Sequence, residues 1–484
     1  MAANSIIEQK PLYTILPVGQ EIIFVASNAT AVANEFKVKF IAEVHISTTA
    51  PPDLTIPDDL IGTFRTTPNN AGVAIFDFRN IIENYVKSDN MAADGSAFKT
   101  TVTTADQRHP IHLIDKYSLN NGSIAYMALQ FAVEYLGATD VSGNQDDNVV
   151  RRQVGTAANS DLYTIFNGYL KYKDILTLGA APNASDFGFD ISDFEFGTPS
   201  KKFLTNAPVT QYANIDDYGT LSFLQNTATL SNQVNDIKIT YYSSAGVSLG
   251  TDIITKQVAT GAYIVSAFFW IQNVKRFILY FGCYPANLQN WSSTFQALVT
   301  AGTIQGGYYT IVARDNEPAD TSATYTINVN CPDLKGYESI RLTWLNQWGT
   351  WDYYTFNKKS VISTSTQGTT YNQLAGSWNE SKYRIDSYKG GKKAFRVNAN
   401  EMITMNTDFV SENENIMFEE LINSPEVYLL DSYQTTSSSQ ALNQFVTPVR
   451  LTTSSFTKKT IANDKLIQYT FEIEKSKTLR TQSI

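Results

Sequence analysis

The sequence predicts a mainly β protein with few short helices. Aromatic residues form 12% of the chain, with 27 Tyr and 27 Phe, and such residues suit pleated, half-buried strand surfaces. Several segments alternate apolar and polar residues with a period of two, which is the signature of a strand. Asn, Ser and Thr, which suit turns, are abundant, whereas helix-favouring runs of Ala, Leu, Glu and Lys are scarce.

The length of the chain predicts more than one domain. Its 484 residues exceed the roughly 250 to 300 residues at which single hydrophobic cores stop growing. Irregular sequence with Gly and Pro over 178–200 indicates a boundary. We therefore expect one or more N-terminal β domains over 1–198, a middle β domain over 199–305 and a C-terminal β domain over 306–484.

Three segments in the N-terminal region carry the clearest strand patterns. Residues 36–46, FKVKFIAEVHI, alternate along their length and predict a half-buried strand. Residues 61–82 are read as strand, turn and strand, with a short helix over 81–86. Residues 124–135 also alternate, and one of the two faces of the resulting strand is entirely apolar. This pattern predicts a core strand, with a helix as the alternative.

Turn and cap residues locate two further elements in the C-terminal region. Gly390 and Gly391 separate two runs of strand character and predict a two-residue β-hairpin. Ser411, with Glu414 three residues later, predicts a capping box. One short helix is therefore expected near 411–422.

Motifs for catalysis, cofactors and metals are mostly missing. The three histidines are His45, His109 and His112. With so few, a Ser-His-Asp constellation is hard to build, and no third imidazole or Cys pair completes a zinc site. The acidic segments 140–147 and 186–195 are read as solvated loops, with calcium binding and glycoside hydrolysis as the respective alternatives. We expect a protein that is not an enzyme and that has no cofactor and no metal.

The charge distribution argues against nucleic acid as the main partner. The formal net charge is -9, whereas duplex binding depends on clustered Lys and Arg. The locally basic segment 456–484 is read as a solvated strand edge.

The absence of targeting signals and the cysteine usage predict that the protein is made in a cytoplasm and stays soluble there. No window approaches eighteen uninterrupted apolar residues, so no membrane span is expected. The N-terminal residues lack the pattern of a secretion signal. Cys283 and Cys331 are read as two thiols, with one long-range bridge left open.

The most distinctive stretch is WLNQWGTWDYYTF, which begins at Trp344. One interpretation is a strand, a tight turn over 346–349 and a second strand, with the rings filling a core. The alternatives are a subunit interface and a glycan-stacking platform, since aromatic rings serve both. The candidate interface or platform residues are Trp344, Trp348, Trp351, Tyr353 and Tyr354.

At this stretch the sequence resembles virion proteins of tailed bacteriophages, especially those infecting Bacteroidota. The resemblance is carried by the order IRLTWLNQWGTWDYYTF, ITMNTDF, LINSPEVYLLDS, FVTPVRL and KLIQYTFEIE. The upstream segments KFLTNAPVTQYANIDDYGTLSFL and IGTFRTTPNNAGVAIFDFRNIIENYV are similar to the same group. These motifs are structural, so they assign no functional residue.

The resemblance implies a mainly β protein made of several consecutive antiparallel β-sandwich domains with few short helices. It also implies a structural subunit of the tail or head–tail connection, in a ring, hub, collar or tip. Its partners would be further copies of itself in a symmetric oligomer and other virion proteins, and its location the virion, assembled in the host cytoplasm. Loops 138–150 and 178–200 are expected joints between subunits. The alternative function is a receptor- or glycan-binding adhesin module of the tail, with a host surface glycan as partner.

Overall fold

The fold is given by a computed structural model of the 484-residue chain. Several sequence predictions fall outside the residues that it describes, namely His109, His112, Cys331, the segment 140–147 and most of 178–200. The described residues are 6–48, 52, 54, 59–89, 117–119, 122–136, 150–159, 162–171, 191–194, 199–225, 234–255, 277–315, 319–330, 337–379, 381–430, 446–460, 466–476 and 479–480.

The predicted mainly β class is confirmed, since strand exceeds helix, 50% to 14%. Strands pair antiparallel in each described sheet except at two parallel pairs. The α-helices in the described part of the chain are short: α1 (Ala29–Asn34), α2 (Arg79–Ile82), α3 (Pro285–Trp291), α4 (Ser293–Thr300) and α5 (Asn415–Asn423). Single 3-10 turns cover Glu83–Tyr85, Ile191–Phe194 and Glu412–Glu414.

The strands of the N-terminal half are, in chain order, β1 (Ile6–Gln9), β2 (Ile15–Pro17), β3 (Ile23–Ser27), β4 (Phe36–Ser47), β5 (Leu60–Thr66), β6 (Val73–Asp77), β7 (Tyr117–Leu119), β8 (Ile124–Leu136), β9 (Val150–Asn159), β10 (Tyr163–Phe166), β11 (Thr210–Ala213), β12 (Thr220–Gln225), β13 (Asp236–Tyr242) and β14 (Ser248–Thr255). Those of the C-terminal half are β15 (Phe277–Gly282), β16 (Tyr308–Arg314), β17 (Tyr325–Val329), β18 (Ile340–Leu345), β19 (Trp351–Phe356), β20 (Val361–Gln373), β21 (Gly376–Asn379), β22 (Lys382–Ile385), β23 (Gly391–Asn406), β24 (Val427–Leu430), β25 (Val446–Leu451), β26 (Thr470–Lys475) and β27 (Leu479–Arg480).

The chain divides into two compact units. Unit 1 comprises Met1–Cys331, Leu345–Asp352 and Thr436–Ser439. Unit 2 comprises Pro332–Trp344, Tyr353–Thr435 and Gln440–Ile484.

A β-sandwich forms the first part of unit 1. One sheet has the order β1-β3-β6, and the other has the order β2-β10-β8-β4-β5 with β9 beside β8. The Phe24 ring of β3 lies 5.9 Å from Phe131 of β8 and 5.5 Å from Tyr163 of β10, measured between ring centroids. Rings from the two sheets therefore interleave in one core, as in sheets packed face to face.

The three N-terminal segments are strands where the patterns predict them, and the short helix is α2 with its 3-10 turn. Residues 124–136 form the strand β8, so the helical alternative is wrong, and this strand is buried on both faces. β4 departs from the prediction of half-burial, because Ile41 and His45 on its second face are buried too. The strands of segment 61–82 pair in different sheets, β5 with β4 and β6 with β3.

Two further sheets complete unit 1. A five-stranded sheet has the order β11-β17-β16-β13-β14, and a three-stranded sheet has the order β12-β15-β7. The Phe203 ring lies 5.5 Å from Phe281 of the smaller sheet and 5.0 Å from Tyr325 of the larger one. Both sheets combine strands from more than one of the predicted regions 1–198, 199–305 and 306–484. The division of the chain into three domains at these bounds remains a prediction.

An eight-stranded sheet and α5 organise unit 2. The sheet has the order β19-β18-β24-β25-β26-β23-β20, with β27 beside β23. Helix α5 follows the predicted capping box, in which Ser411 and Glu414 exchange side-chain and backbone hydrogen bonds. Its Phe418 packs on Phe471 of β26 at 5.5 Å.

The hairpin predicted at Gly390 and Gly391 is wrong. The strands on either side of these glycines, β22 and β23, are not partners: β22 pairs with β21, and β23 pairs with β20 over 13 residues of β20. Residues 374–390 therefore connect β20 to β23 and contain the small β21–β22 hairpin.

Candidate functional site

The aromatic stretch forms the strand, turn and strand that its sequence suggests. Asn346 N–H donates to the Thr350 carbonyl at 2.8 Å, and its side-chain oxygen accepts from the backbone N–H groups of Trp348 and Thr350 at 2.9 and 3.1 Å. Gly349 adopts a positive φ of 72°. The turn that separates β18 from β19 is thus closed by one Asn side chain and one glycine.

Burial of the rings argues for packing and against a glycan platform at this stretch. Trp344, Trp348 and Trp351 are 0%, 4% and 2% exposed, and Tyr353 is buried as well. A ring that stacks on a sugar must offer one face to solvent. Tyr354 is half-buried, so it does not supply such a face either.

The five candidate residues do not lie in one unit. Trp348 and Trp351 belong to unit 1, where the Trp348 ring lies 4.1 Å from Phe194. Trp344, Tyr353 and Tyr354 belong to unit 2. The sequence run therefore contributes to two separate sets of packing contacts.

The two tyrosines are held in unit 2 by specific partners. The Arg341 guanidinium lies 5.2 Å from the Tyr353 ring centroid, a cation–π distance. The Tyr354 ring packs edge-on against Phe418 at 5.0 Å, and its hydroxyl accepts a hydrogen bond from the Asp408 N–H at 3.3 Å. Burial raises the pKa of Tyr354, so its phenol stays protonated.

Asp352 is the buried acid beside this turn. Thr205 Oγ1 donates to its Oδ1 at 2.6 Å, and the side chain is almost fully enclosed in unit 1. Desolvation raises the pKa of Asp352 to about 6, against the lowering effect of hydrogen bonds from Thr205, Asn346 and the Asn206 backbone. Because no substrate reaches an enclosed carboxyl, we interpret Asp352 as a packing residue.

The raised pKa of Asp352 predicts that the stability of the protein depends on pH. The folded state holds the proton up to about pH 6, whereas the unfolded chain releases it near the ordinary value of 3.8. The group therefore binds more protons when folded, and its contribution to stability falls as pH rises from about 4 to 6. Comparing urea unfolding at pH 4.5 and 7.5, we expect Asp352→Asn to lose this part of the pH dependence, on the order of 2 kcal/mol. An identical pH dependence in both proteins would contradict the assignment.

Other polar clusters in unit 1 also serve the fold. The Asp252 carboxylate accepts hydrogen bonds from Tyr241 and Thr294 at 2.8 and 3.0 Å, and from Ser292, the N-cap of α4. Asp89 accepts from Tyr280 at 2.5 Å and from two backbone N–H groups. Within the described ranges, no three His, Cys, Asp or Glu side chains gather closely enough to hold a metal ion.

None of the helices in the described part of the chain combines the length and apolar character needed to cross a bilayer.

A long β-ribbon in unit 2 is the feature that sequence analysis missed. β20 and β23, here called the arm, pair from Val361 opposite Thr404 to Gln373 opposite Gly391. Within the described residues, β26 pairs with β23 only at 402–406, and β27 pairs with it only at 398–399. Among the described residues, the outer half of the arm thus has no third strand, and the 13 residues of β20 correspond to about 43 Å.

The end of the arm, residues 374–396, is here called the tip. It holds the four most exposed large hydrophobic side chains of the described residues: Leu374 (78%), Ile385 (77%), Tyr388 (74%) and Trp378 (71%). The signal in the sequence was the preceding run STSTQGTT, which is polar on both faces of a strand.

Comparisons with known proteins give no family. No family model matches the sequence, and no curated protein matches it. The similar solved structures include two of Escherichia coli alpha-2-macroglobulin. The native conformation gives a TM-score of 0.16 at 8% identity, covering 83% of this chain and 22% of that one. The trypsin-activated form gives a TM-score of 0.17 at 6% identity, covering 84% of this chain and 23% of that one. MtrC from Shewanella baltica OS185 gives a TM-score of 0.13 at 8% identity, covering 84% of this chain and 66% of that one. The chain spans about a fifth of the alpha-2-macroglobulin chains, and scores this low carry no argument.

Proposed function

We propose that this chain is a structural subunit of a bacteriophage virion, in the tail or the head–tail connection, and that it acts through subunit interfaces. The observation that carries the assembly role is the arm with its exposed apolar tip. Large apolar side chains that cluster in solvent mark interaction sites. The arm therefore fits a protein that works as part of an assembly.

The strand pairing of the arm supports the same proposal. An isolated two-stranded ribbon is marginally stable in water, and its open edges can accept a strand from another chain. In the arm, residues 363–370 of β20 are exposed throughout. Contact with a neighbouring subunit would cover these edges and stabilise the ribbon.

The virion part of the proposal rests on the sequence resemblance to tailed-phage proteins. A virion subunit needs stable cores and broad interfaces rather than a reactive site. The aromatic cores around Phe24, Phe203 and Phe418 and the exposed arm match those needs. An adhesin that stacks sugars on Trp344, Trp348 and Trp351 is less well supported, because these rings are buried.

Immunogold electron microscopy tests this function. Antibodies raised against the full chain would be applied to phage particles from the source culture, with pre-immune serum as control. Gold at the neck, tail or tail tip is the expected result, and its position would choose among collar, ring, hub and tip. Unlabelled particles, with the protein found only in host cells, would remove the proposal.

A further inference from the structure

We propose that the tip docks on an acidic surface of a second copy of this chain. This inference rests on the proposed function as an assembly subunit and names its partner. The contact would be heterologous, since the tip of one copy meets a different surface of the next. Repeated contacts of this kind close into a ring when the rotation between copies permits.

The apolar part of the tip resembles the buried centre of a protein interface. Trp378 of β21 is paired with Tyr383 of β22, and side chains of directly paired residues lie on the same face of a hairpin. Ile385 is the last residue of β22, and Tyr388 follows on the connection to β23. Trp and Tyr are among the side chains that most often carry the binding energy of an interface.

The charge of the tip indicates which surface it meets. The tip has six Lys or Arg and two Asp or Glu, a formal charge of +4, in a chain whose total is -9. The remaining residues therefore carry -13. Lys382 and Lys392 are exposed. A second copy thus supplies an excess of acidic groups, and complementary charges steer association.

Several hydrogen bonds within the tip stabilise its conformation. Asp386 N–H donates to the Ala375 carbonyl at 2.8 Å, and Lys389 N–H donates to the Asp386 carbonyl at 3.0 Å. Lys389 also forms an ion pair with Asp386 at 2.9 Å, and Lys393 Nζ donates to the Tyr388 carbonyl at 3.1 Å. A fixed tip loses less conformational freedom when it docks.

The mass of the purified full chain in solution tests the proposal. Light scattering after size exclusion and sedimentation over a concentration series would compare the wild type with Ile385→Ser/Tyr388→Ser. We expect wild-type oligomers and a dissociation constant at least roughly 30-fold higher in the double variant. Leu466→Ser is the matched control, because Leu466 is also highly exposed, at 65%, but lies outside the tip. Circular dichroism would verify that each variant is folded.

Cross-linking identifies the docking surface. With Trp378 replaced by the photoreactive p-benzoylphenylalanine, we expect cross-links between two copies, at segments rich in Asp and Glu. A monomeric wild type, cross-links only within one copy, or a double variant that assembles like the wild type would overturn the proposal. So would tip-dependent binding of the monomer to phosphatidylglycerol vesicles or to single-stranded DNA.

The two proposals fail in distinguishable ways. If gold labels the particles but the purified chain stays monomeric, the virion function stands and the second copy is the wrong partner. If the chain self-associates through the tip but the particles carry no label, the docking inference stands for an assembly of another kind.

Discussion

Gly349→Ala is expected to prevent stable folding of unit 1, at a cost above about 4 kcal/mol. Gly349 has a φ of 72°, a conformation that alone costs an alanine about 1 kcal/mol. The larger part of the cost comes from space, because a Cβ at this position would lie 2.0 Å from the Asn167 carbonyl oxygen and 2.7 Å from its carbon. These atoms are backbone, so no side-chain rotation relieves the overlap.

The surrounding hydrogen bonds prevent the turn from moving away. Thr350 Oγ1 and Asn346 Nδ2 both donate to the Leu204 carbonyl, at 2.7 and 3.0 Å. Tyr169 N–H donates to the Gln347 carbonyl at 3.0 Å. A shift that accommodates the methyl group would break several of these buried bonds, each costing about 1–3 kcal/mol when a buried group is left unsatisfied.

Gly302→Ala is the matched control for this substitution. Gly302 has nearly the same φ, 68°, but nothing lies within 4 Å of the position that a Cβ would occupy there. We expect a loss of about 1 kcal/mol from backbone strain alone. Urea unfolding followed by tryptophan fluorescence measures both variants, together with soluble yield. Equal losses for the two substitutions would show that the close approach to Asn167 is not what makes Gly349 necessary.

Local patterns predict which residues form strands, but not how the strands pair. β4, β8 and β26 lie where apolar residues recur with a period of two, because that period is a property of each strand alone. Gly390 and Gly391 both have positive φ, so the sequence locates a backbone turn correctly. The partner of β23 is nevertheless β20, because pairing along 13 residues of β20 outweighs a short local hairpin.

The candidate site shows the same division between local and distant information. The turn over 346–349 follows from Asn and Gly at the right spacing, and it is present. The burial of Trp348 depends on Phe194, and that of Tyr354 on Phe418, which are far away in sequence. An aromatic run alone could therefore not decide between core packing, interface and platform.

The strand β20 escaped prediction because its residues 363–370 lack a buried face. Prediction of strands from alternation relies on one apolar side, and residues 363–370 have none. Their β-conformation follows from pairing with β23 rather than from burial. Polar strands of this kind are recognised only when the partner strand is known.

Trp344→Ala is expected to cost about 3–5 kcal/mol and to give insoluble protein, because Trp344 is the largest fully buried side chain of the described residues. Its Nε1 has no hydrogen-bond partner among those residues, so the loss comes from packing. Trp344→Phe keeps most of that packing and should cost distinctly less. In the monomeric chain, Trp378→Ala, at a ring that is 71% exposed, should change the free energy of unfolding by less than about 0.5 kcal/mol.

The comparison of these three variants separates a packing role from a binding role at Trp344. Urea unfolding of unit 2 and the soluble yield are the measurements. A folded Trp344→Ala protein that keeps its stability but loses binding to cells or glycans would reverse the assignment. Such a protein would show that this ring reaches solvent, and it would make the adhesin function the better account of the aromatic stretch.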